Sequence, residues 1–364
     1  MRAVFLSHNR SDAADAYNYR LRMLARHLSA EGIDSRMVYL GDPPLGNPTI
    51  LHPLKVRGAF GEAGAIVHAG SAACAFTASW LSRRKAPYRV FDMHGDTVAE
   101  QRLAAAANSG WKSALRVSQE RWKERRGLRA ADRVLVVSEP LREHVLSSGL
   151  VNPEQIWMVR NGVDLDRFRE TEPYPAREIP RLLYAGRFDP WQGLEFLEEL
   201  IRARDDSFEL RIIGFEPGDA SLRGEWGGIG NPQLTMKGRL TQEELVRELS
   251  RADALLLPRA DDPVTRVAMP TKFAEYLSVG RPILLTDVGE PARFVRESGC
   301  GMVSAPTPHD FGALVRQFTK RPASERAEMA KPGPELAKRH FDWDTIGREY
   351  ASRLREAFGT DGLV

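Results

Sequence analysis

The residues from Ala268 to Pro282 read Ala-Met-Pro-Thr-Lys-Phe-Ala-Glu-Tyr-Leu-Ser-Val-Gly-Arg-Pro, and their types and spacing suit phosphate chemistry. Proline favours the first helical position, where its missing N–H costs nothing, so Pro270 marks a helix start and Gly280 its stop. The N–H groups of Thr271 and Lys272 then lack intrahelical partners, and the positive end of the helix dipole lies beside them. A phosphate binds at such an end. Phe273, Tyr276 and Leu277 share a face for burial, while Glu275 lies within reach of a neighbouring hydroxyl. This outlines a diphosphate site beside a sugar-binding carboxylate. The same residues also make an ordinary amphipathic helix, and the dipole disfavours the Lys272 cation at that end.

A second anion-binding pattern is Gly186-Arg187-Phe188-Asp189-Pro190-Trp191-Gln192-Gly193, which follows an apolar run. Glycine permits close approach of backbone to ligand, Asp189 is placed to cap a helix begun by Pro190, and Arg187 stands at the end of a strand. His94 occupies a similar position after Arg89 to Met93. Its ring can hydrogen-bond a hydroxyl, or its carbonyl can steady positive charge. The first loop, Ser7 to Tyr19, offers His8, Asn9, Ser11, Asp12 and Asp15 as polar candidates, with Ala13 and Ala14 small enough for close approach. Each also reads as a solvated turn or capping residue.

These residues need strand ends and helix starts to hold them. Ala3 to Ser7, Arg36 to Leu40, Ala65 to Ala69, Arg89 to Met93, Val134 to Ser138 and Ile156 to Val159 read as buried strands. Helical spacing lies between most of them, as around Leu21, Leu24 and Leu28 and from Leu141 to Leu146. After a Pro- and Glu-rich connection from Glu170 to Pro180 the alternation restarts, with strands at Leu182 to Ala185, Leu210 to Ile213, Ala254 to Leu257 and Ile283 to Thr286. Such alternation implies two α/β domains with parallel sheets, ligands beyond the carboxyl ends of the strands and a cleft between the domains. The stretch from Pro334 to Phe358 reads as helical, with Phe341, Trp343, Ile346, Tyr350 and Leu354 as its apolar side.

Composition agrees with a globular protein: 364 residues, 42% hydrophobic and 28% charged, with a formal net charge of +3. That charge gives no global nucleic-acid signal. Cys74 and Cys300 lack metal or redox spacing, so reduced structural thiols in a cytosolic setting are expected. The short apolar run Ala3 to Leu6 does not suit a signal peptide, and no span of roughly 18 apolar residues marks a membrane helix. The chain has no Gly-x4-Gly-Lys loop, His-Glu-x2-His, Gly-x-Ser-x-Gly, or Gly-x-Gly-x2-Gly after its first strand, which removes support from nucleotide hydrolysis, zinc hydrolysis and dinucleotide redox chemistry. Asp164-Leu165-Asp166 and Asp342-Trp343-Asp344 match the short Asp-x-Asp pattern of metal-dependent sugar transferases, and chance explains both. From Trp111 to Arg129, Lys112, Arg116, Arg121, Lys123, Arg125, Arg126 and Arg129 interleave with Trp111 and Trp122. This suits an anionic membrane surface or, with Glu120 and Glu124 diluting the charge, a solvated helix face. Arg83, Arg84 and Lys85 add to it.

On these residues the chain resembles family 4 of the glycosyltransferases, with GT-B architecture, over most of its length. The family's Gly-Arg-x4-Lys-Gly loop is matched by Gly186, Arg187 and Gly193, with Gln192 in place of the lysine. In its Glu-x7-Glu segment the second glutamate falls on Glu275 and the first on Val267. Asn161-Gly162-Val163-Asp164, Ala131-Asp132-Arg133-Val134 to Ser138, Gly238-Arg239-Leu240-Thr241 with Glu243 and Glu244, and Phe341-Asp342-Trp343 resemble further family pieces.

The resemblance implies an α/β GT-B fold of two Rossmann-like domains with an interdomain cleft. Residues 1–168 would form the acceptor-side domain, 175–335 the nucleotide-sugar domain, and 336–364 a C-terminal helix crossing back to the first. It implies a retaining hexosyl- or pentosyltransferase that uses a nucleoside-diphosphate sugar and needs no metal or other cofactor. In those terms Arg187, Lys272 and His94 are catalytic. Gly186, Gln192, Gly214, Arg239, Leu240, Thr271 and Glu275 bind the donor, with Glu275 on the ribose and Lys272 restoring the charge missing at Gln192. His8, Asn9, Ser11, Asp12 and Asp15 face the acceptor, which is a glycan, a glycolipid or a small molecule. The setting is cytoplasmic, with loose contact at the inner face of a membrane. Two other readings stay open: a nucleotide-sugar 2-epimerase of the same architecture, and a catalytically silent nucleotide-sugar-binding protein, suggested by Gln192 and Val267.

Overall fold

A computed structural model describes residues 1–13, 16–42, 66–82, 86, 88–107, 110–169 and 172–359. Ala14, Asp15, Ala65, Glu170 and the basic run Arg83, Arg84 and Lys85 lie outside them. The chain divides into two compact units. One takes its described residues from Met1–Gly162, Val267–Met269 and Trp343–Val364, and the other comprises Val163–Arg266 and Pro270–Asp342.

The first unit contains β1 (Arg2–Ser7), β2 (Asp34–Tyr39), β3 (Ile66–Ala69), β4 (Tyr88–Met93), β5 (Arg133–Val136) and β6 (Ile156–Met158) in one six-stranded sheet, ordered β2-β1-β3-β4-β5-β6. Every pairing is parallel. The strand order reverses between β1 and β3, so their carboxyl ends open a crevice. The helix Ala16–Ala30 buries Leu21, Leu24 and Leu28 against this sheet. The helix Trp343–Phe358 packs into the same core through Trp343, Tyr350, Leu354 and Phe358. His27 stacks on Trp343, and Arg353 donates to the Met158 carbonyl at 3.2 Å.

The second unit contains β7 (Arg181–Ala185), β8 (Glu209–Phe215), β9 (Leu234–Gly238), β10 (Ala254–Leu257), β11 (Ile283–Thr286) and β12 (Gly301–Ser304), ordered β12-β11-β10-β7-β8-β9 and again all parallel. Its switch point lies between β7 and β10. Leu182, Tyr184, Leu210, Ile212, Ala254, Leu256 and Leu284 fill the core on one side of the sheet, beneath Phe196, Phe311 and Phe318.

Some expectations need correction. The edge strands β9 and β12 do not read as apolar runs, because each has only one covered flank and keeps half-buried residues. Residues 163–168 belong to the second unit, where the Val163 N–H donates to the Phe341 carbonyl at 2.6 Å. The expected helix from Pro334 is two helices, Pro332–His340 and Trp343–Phe358, broken at Phe341 and Asp342. Phe341 leaves the helical face to pack edge-on against Phe273 and Phe294, so 336–342 also belong to the second unit. Cys74 and Cys300 are both buried thiols.

Candidate functional site

At the carboxyl ends of β7, β8 and β10 the second unit gathers its candidate donor residues. The helix Thr271–Ser278 has Pro270 as its N-cap and so begins one residue later than the sequence suggests, because ψ at Pro270 is extended at 137°. Among the described residues neither the Thr271 nor the Lys272 N–H is hydrogen-bonded, while the Phe273 N–H turns back to the Pro270 carbonyl at 3.0 Å. Phe273, Tyr276 and Leu277 are buried. The Tyr276 hydroxyl fastens the helix to the end of β7, accepting from the Ala185 N–H at 3.0 Å and donating to the Ala185 carbonyl at 3.2 Å.

This anchoring brings Lys272 to the loop after β7. Its Nζ donates to Gln192 Oε1 at 3.1 Å and to the Tyr184 hydroxyl at 3.4 Å, and lies 4.6 Å from the centre of the Tyr184 ring. The Tyr184 hydroxyl in turn donates to the Arg187 carbonyl at 2.8 Å. A Cβ at Gly186 would collide with Lys272 Nζ, and one at Gly214, where φ is +126°, with the Gly186 carbonyl oxygen. These two glycines let three pieces of backbone and a lysine meet. Burial, and secondarily the charge of Arg259, push the Lys272 ammonium down to about 7, against the pull of Glu275 and Asp189. Burial raises the half-buried Glu275 carboxyl to about 7, with Lys272 opposing.

The remaining donor candidates sit further out. The Arg187 side chain is 72% exposed and pairs with Asp189 at 3.4 Å. Asp189 precedes a single 3-10 turn, Pro190–Gln192, without capping it; the helix proper, Leu194–Ala203, begins after Gly193, whose φ of +72° only glycine adopts readily. Arg239 is exposed and pairs with Glu216 at 3.2 Å, while Leu240 is half-buried ahead of the helix Gln242–Ser250. Val267 is buried in the first unit and its carbonyl accepts from Ser138.

In the first unit, Tyr17 brings two candidates together. Its ring lies 4.7 Å from His8, just past β1, and 5.0 Å from His94, just past β4. Burial pushes His94 down to about 4 despite the nearby Asp92 carboxylate, so the imidazole is neutral near pH 7. Its Nδ1 is buried and finds no partner among the described residues. The other loop candidates serve the turn itself. The Asn9 N–H donates to Ser7 Oγ at 3.1 Å, the Ser11 N–H to Asp42 at 3.0 Å, and Asp12 pairs with Arg10 in the open. Asp15 lies outside the described residues.

Sequence reasoning missed two features. Arg20 and Asp92 form a fully buried ion pair at 2.8 Å, with the guanidinium also donating to Val159 and Arg160 carbonyls and to Asn161. A buried arginine, Arg259, follows β10 beside the donor cluster. Neither had a local signal: Arg20 and Asp92 are distant in sequence, and Arg259 is buried by elements distant along the chain.

Residues 179–320 match the model of the family described as glycosyl transferases group 1, and residues 46–162 match a glycosyl transferase 4-like domain. The chain is similar to a glycogen synthase of Mycobacterium tuberculosis, 26% identical across 66% of the chain and 58% of that protein. A D-inositol 3-phosphate glycosyltransferase of a Nocardioides species is 27% identical across 64% of the chain and 56% of its own length. The chain therefore spans little more than half the length of these curated relatives. In fold it is similar to sucrose-phosphate synthase from Thermosynechococcus elongatus, at 20% identity and a TM-score of 0.79, covering 98% of this chain and 99% of that one. Anabaena HepE, solved in complex with UDP and glucose, is 15% identical with a TM-score of 0.73, covering 98% and 100%. The chain belongs to the group 1 glycosyl transferases and has their GT-B fold.

Proposed function

We propose that the protein is a retaining, metal-independent glycosyltransferase that moves a hexosyl or pentosyl group from a nucleoside-diphosphate sugar to an acceptor hydroxyl. The observation that carries this reading is the seat of Lys272. Its ammonium contacts Gln192, the residue that stands where the related loop has its lysine, so a cation from one loop occupies the place lost from the other. The UDP complex of HepE supports a nucleoside diphosphate as the ligand class.

In this mechanism the bond between the anomeric carbon and the β-phosphate oxygen breaks. Positive charge builds on the sugar and an added negative charge on the departing diphosphate. Lys272 and the free N–H groups of Thr271 and Lys272 face that oxygen, and Arg187 turns from Asp189 toward the phosphates. The acceptor hydroxyl attacks on the face the diphosphate leaves, and its proton passes to the leaving phosphate. His94, being neutral, hydrogen-bonds a sugar hydroxyl.

The acceptor is read as lipid-linked or part of a cell-surface glycan, used at the inner face of a membrane. This rests on the helix Trp111–Ala130, which carries exposed Trp111, Leu115 and Trp122 among its cations.

A panel of nucleotide sugars, followed by nucleotide release and melting temperature, tests the reaction. Acceptor-dependent release is expected, with Lys272→Ala slowing turnover by roughly 100-fold, the scale of one lost transition-state donor. An unchanged rate removes Lys272 from the mechanism. Epimer formation without an acceptor favours a 2-epimerase, and stabilisation without any release favours the silent binder that Gln192 and Val267 suggest.

A further inference from the structure

Arg259 is 5% exposed, its guanidinium Nε is buried without a hydrogen-bond partner among the described residues, and no carboxylate is among the groups acting on its charge. The other buried arginines among the described residues each keep at least one acceptor for the guanidinium. Buried Arg20 is satisfied by Asp92 and two carbonyls, and buried Arg281 donates to the carbonyls of Ser250, Gly280, Val279 and Glu172. Arg326, two of whose guanidinium nitrogens also lack a partner among the described residues, keeps the Arg177 carbonyl. The carboxylates nearest Arg259 in sequence are spoken for: Asp261 takes both arms of Arg266, and Asp262 accepts from the Val264 N–H. Burying an unpaired charge is strongly unfavourable, so a cation held this way calls for an anion from outside the chain.

The backbone of Arg259 is fixed where such an anion would lie. Its N–H donates to Thr286 Oγ1 at 2.9 Å, and that hydroxyl donates back to the Arg259 carbonyl at 2.8 Å. Arg259 thereby stands just past β10, on one flank of the switch point whose other flank is Gly186 and Arg187 after β7. The loop carrying Gln192 packs onto the same spot, since a Cβ at Gly193 would lie 2.9 Å from the Pro258 carbonyl oxygen. Lys272 reaches that loop from the other side and feels the Arg259 charge.

We propose that Arg259 is a further cation of the diphosphate site beside Lys272 and Arg187, its guanidinium left without a protein partner so that phosphate oxygens become its partner. This rests on the reading of the unit as a nucleoside-diphosphate-sugar site. Two neighbouring cations, Arg259 and Lys272, match a diphosphate better than a monophosphate, and the planar guanidinium can take two oxygens at once.

The test compares the unaltered chain with Arg259→Met and Arg259→Lys in titrations with UDP, ADP and GDP, their monophosphates, and inorganic pyrophosphate. Arg259→Met should weaken the preferred diphosphate by about 10- to 100-fold, the range for hydrogen bonds to a charged group, and weaken its monophosphate less. Arg259→Lys should recover part of the loss. Without ligand, Arg259→Met should melt at or above the unaltered chain, because an unpaired charge gives way to a buried apolar chain. The pH at which anion affinity falls should also move upward, because Arg259 is the main charge opposing protonation of Lys272, whose other charged neighbours are Glu275 and Asp189. Equal diphosphate affinity in Arg259→Met, or a marked fall in its ligand-free melting temperature with binding retained, overturns the inference and leaves the proposed function standing. Failure of the unaltered chain to bind any diphosphate overturns both.

Discussion

Lys272 and Glu275 lie one helical turn apart and both titrate near pH 7, for opposite reasons. Burial lowers the lysine and raises the carboxyl. A bound phosphate favours the ammonium, so the complex takes up a proton wherever free Lys272 is partly deprotonated. As pH rises through about 7, Lys272 loses its charge while Glu275 gains one. Both changes weaken diphosphate binding, so affinity should fall through that pH. Calorimetric titration at pH 7.5 in two buffers of different ionisation enthalpy should register net proton uptake; identical enthalpies in both would contradict it. The Lys272–Gln192 meeting was legible in the sequence because two departures from one pattern complemented each other. Arg259 was not. Leu-Pro-Arg-Ala looks like any loop arginine, and its burial comes from Thr286 and the Gly193 loop, both distant along the chain.

Strands and helices followed from hydrophobic patterning wherever an element is covered on both faces. β3, β10 and β11 are buried throughout and stood out as apolar runs. β9 and β12, at the two ends of one order across the second sheet, mix exposed or half-buried positions and gave no run to read. A break such as Phe341 is harder still. Its apolar character fits a helical face, and only the pairing with Phe273 and Val163 assigns it elsewhere. Long-range ion pairs escape patterning for the same reason. Arg20 on the helix Ala16–Ala30 and Asp92 on β4 tie that helix to the sheet beneath the His8–Tyr17–His94 cluster. Asp92→Ala would strand a desolvated guanidinium and should cost roughly 3–5 kcal/mol in denaturant unfolding, the range for breaking one side of a buried pair. A change below ~1 kcal/mol would show that the carbonyls of Val159 and Arg160 suffice for Arg20.

Across the whole molecule the formal charge of +3 conceals an uneven distribution. The helix Trp111–Ala130 alone has seven cations against two carboxylates, Glu120 and Glu124. Burial raises Glu124 to about 7, with Asp96 and Glu120 adding to the rise, and Lys123 is engaged by Glu120 at 3.3 Å. The outward charge is therefore carried by exposed Lys112, Arg116, Arg121, Arg125 and Arg129. Trp111 is 73% exposed beside them, and the nearby Trp80 is 56% exposed with Arg126 stacked over its ring at 4.5 Å. No helix among the described residues is long and apolar enough to cross a membrane, so contact through this helix would be superficial. Cations near an anionic bilayer contribute about 1 kcal/mol each, and interfacial tryptophans add apolar area, which together suffice for reversible attachment. Flotation should carry the protein up with vesicles containing anionic lipid at low salt, and release it as salt shortens the screening length. Reversing Arg121, Arg125 and Arg129 to glutamate should abolish flotation while leaving the diphosphate titration of the second unit unchanged. Protein that stays unbound to anionic vesicles at low salt would remove the membrane from the proposed function and leave a soluble acceptor in its place.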